Sequence, residues 1–247
     1  FSEKHIISIK INTDSEEGAN LSTEYNIHSL PTLVFINSYN DEIDRIIGFL
    51  PPTKYLERLN EIINGKNTID DLLVKYNKNK NASILSQLGK KYFEKRDYIN
   101  AQAMYIEIIS TFNNSNGDLL DDANFKIAMI KYYNDDISGL ENYINQNSNA
   151  DFTKKALSMI KRYYRSKSDI KSELKIHNQS LLLFPNDLII LNGYAWRMTE
   201  LGINLNDALI KIDRATVLSV NDKSKQANII DTKAEVQWKL GNNLDAI

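Results

Sequence analysis

The sequence predicts a small α/β segment over residues 1–66, then an all-α array of paired helices over residues 82–247. Three observations carry this reading. Near residue 66 the hydrophobic pattern changes from short β-branched runs to helical spacing. Before that point lie three of the four prolines, Pro31, Pro51 and Pro52, and an excess of 10 Asp/Glu over 6 Lys/Arg. Beyond it, aligned positions recur at Gly89, Ala128, Lys161, Ala195 and Ala234, spaced by 39, 33, 34 and 39 residues. Self-similarity at such a period is the mark of stacked helical repeats.

Each element follows from its residues. The run Ile6-Ile7-Ser8-Ile9-Lys10-Ile11 predicts a first, buried strand. Asn12 to Gly18 is polar and turn-like, and Glu17 to Tyr25 suits a short helix. Leu33-Val34-Phe35-Ile36 and Glu42 to Ile47 predict two strands joined through Ser38-Tyr39-Asn40-Asp41, an antiparallel hairpin. Pro51 and Pro52 stand where a helix opens, and Tyr55, Leu56, Leu59, Ile62 and Ile63 recur at helical spacing until Gly65. Residues 67–81 predict an amphipathic helix (Ile69, Leu72, Leu73, Tyr76) and a polar linker.

The phrase Tyr25-Asn26-Ile27-His28-Ser29-Leu30-Pro31-Thr32 leads into an apolar strand, with Ile46-Ile47-Gly48-Phe49 later. In that element order it resembles the thioredoxin family over residues 1–66. The resemblance implies a cis Leu30–Pro31 bond and a substrate-facing loop of Ser29, Leu30, Pro31 and Thr32. It also implies an N-terminally truncated domain, because Phe1 would fall near the end of the helix that carries the family's Cys-x-x-Cys pair. The parent would then be a thiol–disulfide oxidoreductase with its cysteines upstream. The chain itself contains no cysteine, so as given it can run no thiol chemistry.

In the second part, Gln87-Leu88-Gly89 with Tyr92, Tyr98 and Ala101 resembles the tetratricopeptide repeat. So do Asn192-Gly193-Tyr194-Ala195-Trp196 with Leu201-Gly202, Ala208 and Ala215, and the final Leu240-Gly241 with Ala246. The predicted fold class is therefore a partial thioredoxin-like α/β domain followed by an all-α tetratricopeptide solenoid of about five repeats, the last incomplete. The middle copies depart from the pattern: Leu140, Lys161, Glu173 and Ser180 stand where small residues are expected. Such arrays present the inner face of each first helix to a peptide. In this register Tyr132, Tyr133, Arg162, Arg165 and Trp196 become the candidate groove, being the residue types enriched at binding hot spots.

The composition limits other functions. The 247 residues carry 30 Lys/Arg against 32 Asp/Glu, a formal charge of −2, where a polyanion-binding protein would show a basic excess. The sequence thus predicts protein or peptide partners rather than nucleic acid, and no membrane insertion, since no apolar run approaches ~18 residues. His5, His28 and His177 are not at metal-ligand spacing, and there is no phosphate loop or nucleophile elbow. No catalytic, metal or cofactor residue is expected. Two functions follow: helical repeats that recruit clients to a redox domain, or a non-enzymatic interaction scaffold.

Overall fold

Helix boundaries follow from side chains that satisfy the free N–H groups of each first turn. The computed structural model describes residues 6–112, 117–146, 150–242 and 244, which leaves His5 and Ala246 outside. The chain groups into two compact units, Phe1–Tyr143 and Ile144–Ile247.

In the first unit α1 (Glu16–Glu24) begins where the Gly18 amide donates to Ser15 Oγ. The hairpin β1 (Thr32–Ile36) and β2 (Glu42–Ile47) forms where the sequence places it, with Thr32 opposite Ile47 and Val34 opposite Arg45. Pro52 opens α2 (Pro52–Ile63), Thr68 caps α3 (Ile69–Lys78), Asn81 caps α4 (Ala82–Glu94) and Asp97 caps α5 (Tyr98–Thr111). Next are α6 (Gly117–Tyr133) and α7 (Ser138–Gln146). Leu72, Leu85, Leu88, Tyr105, Ile108 and Ile130 form the core of α3 to α6. Each such burial stabilises by roughly 1.5–3 kcal/mol.

The second unit holds α8 (Ala150–Ser166), α9 (Ile170–Leu183), α10 (Leu188–Leu201), α11 (Leu205–Leu218) and α12 (Lys223–Lys239). Asp169, Asp187 and Asp222 cap α9, α10 and α12. Leu191, Met198, Ala208, Ile212, Ala215 and Val236 fill the core of α10 to α12.

One turn recurs through both units. Arg96, Asp135, Ser168, Gly202 and Gly241 all take the left-handed conformation, with φ of 59, 64, 57, 66 and 83°. Each stands seven residues after its aligned position, from Gly89 to Ala234, so the turns repeat at the same intervals. The following amide always donates back to the carbonyl five residues earlier: Asp97 to Tyr92, Asp136 to Lys131, Asp169 to Tyr164, Ile203 to Met198 and Asn242 to Gln237. The left-handed residue itself donates three residues back in all five copies. This is the Schellman ending of a helix, which satisfies carbonyls the helix leaves free. Small residues let the helices cross: a Cβ on Gly89 would lie 2.9 Å from the Tyr105 ring, and one on Gly139 would lie 3.0 Å from Ala128 Cα. In the second copy that close approach is made by Gly139, next to Leu140.

The α/β thioredoxin-like domain expected over residues 1–66 is not built. Among the described residues the fold is twelve helices with a single two-stranded sheet. Ile6–Ile11, expected as a buried strand, pairs with nothing there, and Ile7 and Ile9 are 93% and 78% exposed. β-Branched residues favour a strand only where a partner edge receives it. The hairpin is instead held by charge. Asp44, Arg45 and Ile46 are all buried, so β2 does not alternate between a core face and a solvent face. Asp44 accepts from Lys91 Nζ at 2.7 and 2.9 Å and from Arg58, tying the strand to α4 and α2. Arg45 forks onto Glu42 at 2.7 Å and donates to the Tyr25 and Glu94 carbonyls at 2.8 and 3.2 Å. The Leu30–Pro31 peptide bond is cis.

Candidate functional site

The predicted groove residues fall on both units: Tyr132 and Tyr133 on the first, Arg162, Arg165 and Trp196 on the second. Each unit has its own surface.

On the first, Tyr132 and Tyr133 end α6, which brings them to the turn between α4 and α5. The rings of Tyr133 and Tyr98 stack at 5.6 Å with planes 4° apart. Phe93 closes the group edge-on, 5.5 Å from Tyr98 and 6.0 Å from Tyr133, and Tyr132 lies 5.6 Å from Tyr133. Two cations lie over it: the Arg96 guanidinium 5.6 Å from the Tyr133 centroid, and Lys126 Nζ 5.0 Å from Phe93. Tyr133 is 43% exposed. Partial desolvation, then the Arg96 and Arg45 cations, hold His28 below its ordinary pKa, which puts Arg96 near that loop. Burial pushes the Tyr98 hydroxyl up.

Sequence reasoning singled out Tyr132 and Tyr133; the structure places Phe93, Arg96 and Tyr98, which it did not single out for a surface, beside them. Their common signal was the turn: Arg96 occupies a left-handed position where a glycine stands in two of the other four copies.

On the second unit the three candidates differ in role. Arg165 is committed to packing, since its Nε donates to Glu173 at 3.0 Å and its fork reaches Glu200 at 3.7 Å. Arg162 is exposed, and Trp196 is 42% exposed on α10. These two remain available to a ligand.

The same unit holds a buried ionic cluster centred on Glu173 of the irregular middle repeat. Glu173, expected as a small residue, is fully buried and accepts two further bonds from Arg197 at 2.9 and 2.8 Å. Burial pushes its pKa up, but the hydrogen bonds from Arg197 and Arg165 outweigh burial and hold the carboxylate ionised. His177 Nε2 lies 3.8 Å from Glu173, its ring meets Tyr194 edge-on at 5.9 Å, and its Nδ1 has no hydrogen-bond partner among the described residues. Burial, then the Lys161 cation, lowers its pKa to about 4, so His177 is neutral at pH 7. Burial also lowers Lys161.

The substrate-facing loop inferred from the resemblance is ordered by its own backbone. Thr32 Oγ1 donates to the Ser29 carbonyl at 2.7 Å, and the Gly48 amide donates to the Pro31 carbonyl at 2.8 Å. Leu30 is 66% exposed. An open depression beside α1, lined by Ser15, Glu16, Glu17 and Glu24 among others, draws all its residues from one helix and its cap. No group of three His, Cys, Asp or Glu among the described residues could hold a metal ion. No described helix is long and apolar enough to cross a membrane.

No protein-family model matches the chain, and no curated protein matches it at a significant level.

Proposed function

We propose that this chain is a protein-binding scaffold of tetratricopeptide-like helix pairs. The recurring turn carries the reading: five first helices end in the same left-handed Schellman geometry at the intervals read from the sequence. Paired helices of this kind stack to bury what one pair cannot, and they hold side chains on rigid faces. Arg162 and Trp196 on the second unit are the groups left to meet a partner there. A redox role is not part of the proposal, since among the described residues the sheet is the β1–β2 hairpin alone and the chain has no cysteine.

Selection of a random-peptide display library on the whole chain tests this. The expected result is enrichment of a sequence motif, with binding lost in Arg162→Ala or Trp196→Ala at an unchanged melting temperature. Failure of any motif to enrich over a blank support refutes it.

A further inference from the structure

We infer that the chain pairs with a second copy of itself through an aliphatic patch of the second unit, at the C-terminal ends of α9 and α11. Both the surface and the partner differ from those of the peptide reading, and the inference stands apart from it.

The patch is made of Leu182 and Leu183 at the end of α9, Ile189 in the first turn of α10, and Val217, Leu218 and Val220 at and beyond the end of α11. One contact brings these segments together: Arg214 Nε donates to Asn186 Oδ1 at 2.8 Å, so α11 lies against the α9–α10 loop. Five of the six residues stand three or four positions from one of those two partners, about one helical turn, and Val220 follows Leu218.

Folding does not demand aliphatic residues there. Leu183 and Val217 stand fifteen residues after the left-handed turns at Ser168 and Gly202, and the same offset from Arg96 falls on Thr111. Leu182 corresponds in the same way to Ser110, and both α5 residues are exposed. A helix pair therefore closes equally well with hydroxyl side chains at these positions.

The area says what covers the patch. Its residues are between 44% and 82% exposed. At roughly 120 Å² for a fully exposed aliphatic side chain, they leave about 450 Å² of apolar surface in water. A standard interface covers about 800 Å² on each partner, a little over half of it apolar, which is the same amount. Charge is confined to the border, where Asp187 pairs with Lys154, Asp222 with Lys225, and Arg214 and Lys223 are exposed. An uncharged centre of this kind is matched by another like itself, and two-fold pairing supplies one. The formal charge of −2 on the chain opposes such pairing little.

Sedimentation equilibrium of the whole chain, from about 1 μM to about 1 mM, tests this. The expected result is a monomer–dimer equilibrium that persists in about 1 M salt, where ionic contacts are screened. Leu182→Glu and Val217→Glu are each expected to weaken the dimer at least about tenfold, and Ile170→Glu, at the other end of α9, to leave it unchanged. Val217→Thr installs the residue type that α5 carries, so a weaker dimer at an unchanged melting temperature separates lost contact from lost folding. A monomer at every concentration overturns the inference. So does a dimer that the patch variants leave intact or that salt dissolves, and growth beyond the dimer overturns the two-fold pairing.

Discussion

Gly202 and Ser168 occupy the same position in successive copies of one turn, so exchanging their character tests the repeat from both directions. Gly202 has φ of 66°, and a Cβ added there would meet nothing within 4 Å. Gly202→Ala therefore carries no steric cost from neighbours, only the cost of holding an L-residue in the left-handed region, about 1 kcal/mol. Ser168, at φ 57°, is exposed. Ser168→Gly should return a stabilisation of similar size, reduced to about 0.5–1 kcal/mol by the greater freedom of glycine in the unfolded chain. Both tryptophans, Trp196 and Trp238, lie in the second unit, so their fluorescence during urea unfolding reports that unit alone. For about 100 residues, 1 kcal/mol also moves the melting temperature by roughly 4–8 °C. The expected pattern is a lower urea midpoint for Gly202→Ala and a higher one for Ser168→Gly, with unchanged slopes. A neutral Gly202→Ala together with a destabilising Ser168→Gly would refute the claim that the turns are equivalent.

Other outcomes follow from the packing. His177 has a folded pKa of about 4, below the ordinary 6.5, so the unfolded chain takes up its proton first and stability falls as pH drops from 6.5 towards 4. That loss amounts to about 3 kcal/mol by pH 4, and His177→Leu should show a shallower decline over the same window in acid titrations of the urea midpoint. Glu173 stays ionised through most of that range and does not mask the effect. Gly139→Ala would force a Cβ to 3.0 Å from the Ala128 backbone, and a loss of about 1–3 kcal/mol by calorimetry is expected despite the better helix propensity of alanine. Asp44→Ala leaves the largely buried Lys91 without its carboxylate and Arg58 with Glu61 alone, and should cost about 3 kcal/mol, read as faster amide exchange in β1 and β2.

What could be read from the sequence was what local chemistry decides. The helix that opens at Thr68 and the hairpin over 32–47 needed only a cap, turns and periodicity. The repeat spacing was visible too, because it reflects a turn made within six residues. Non-local partners could not be read. Ile6–Ile11 has the composition of a strand, but composition does not supply an edge to pair with. Asp44 and Arg45 sit at positions that alternation assigns to opposite faces; ion pairs from Asp44 to Arg58 and Lys91, and bonds from Arg45 to Glu42 and to the Tyr25 and Glu94 carbonyls, meet both buried charges. Lys161 and Glu173 looked like defects in the repeat, whereas Glu173 anchors a buried ionic cluster. Tyr133 was assigned to a groove because its stacking partner, Tyr98, lies on the preceding helix, beyond the reach of a helical pattern. Leu140 holds the small-residue position of the second copy, five residues after its turn as Ala101 is after Arg96, and only the contact with Ala128 shows that the adjacent Gly139 makes the close approach.

The constant offset of seven residues between each aligned position and its turn fixes where the repeats are free to vary. Of the first helices, α4 has 13 residues and α10 has 14, whereas α6, α8 and α12 have 17. Because every one is pinned at its C-terminal end, the added turn is always at the N-terminal end, about 5 Å further from the clasp. Lengthening such a helix displaces nothing on the clasp side, so Arg96 and its counterparts keep their stations while the opposite rim grows or shrinks. Each pair behaves as a hinge plate fastened along one edge, and insertions arising in such a chain would be tolerated along the other.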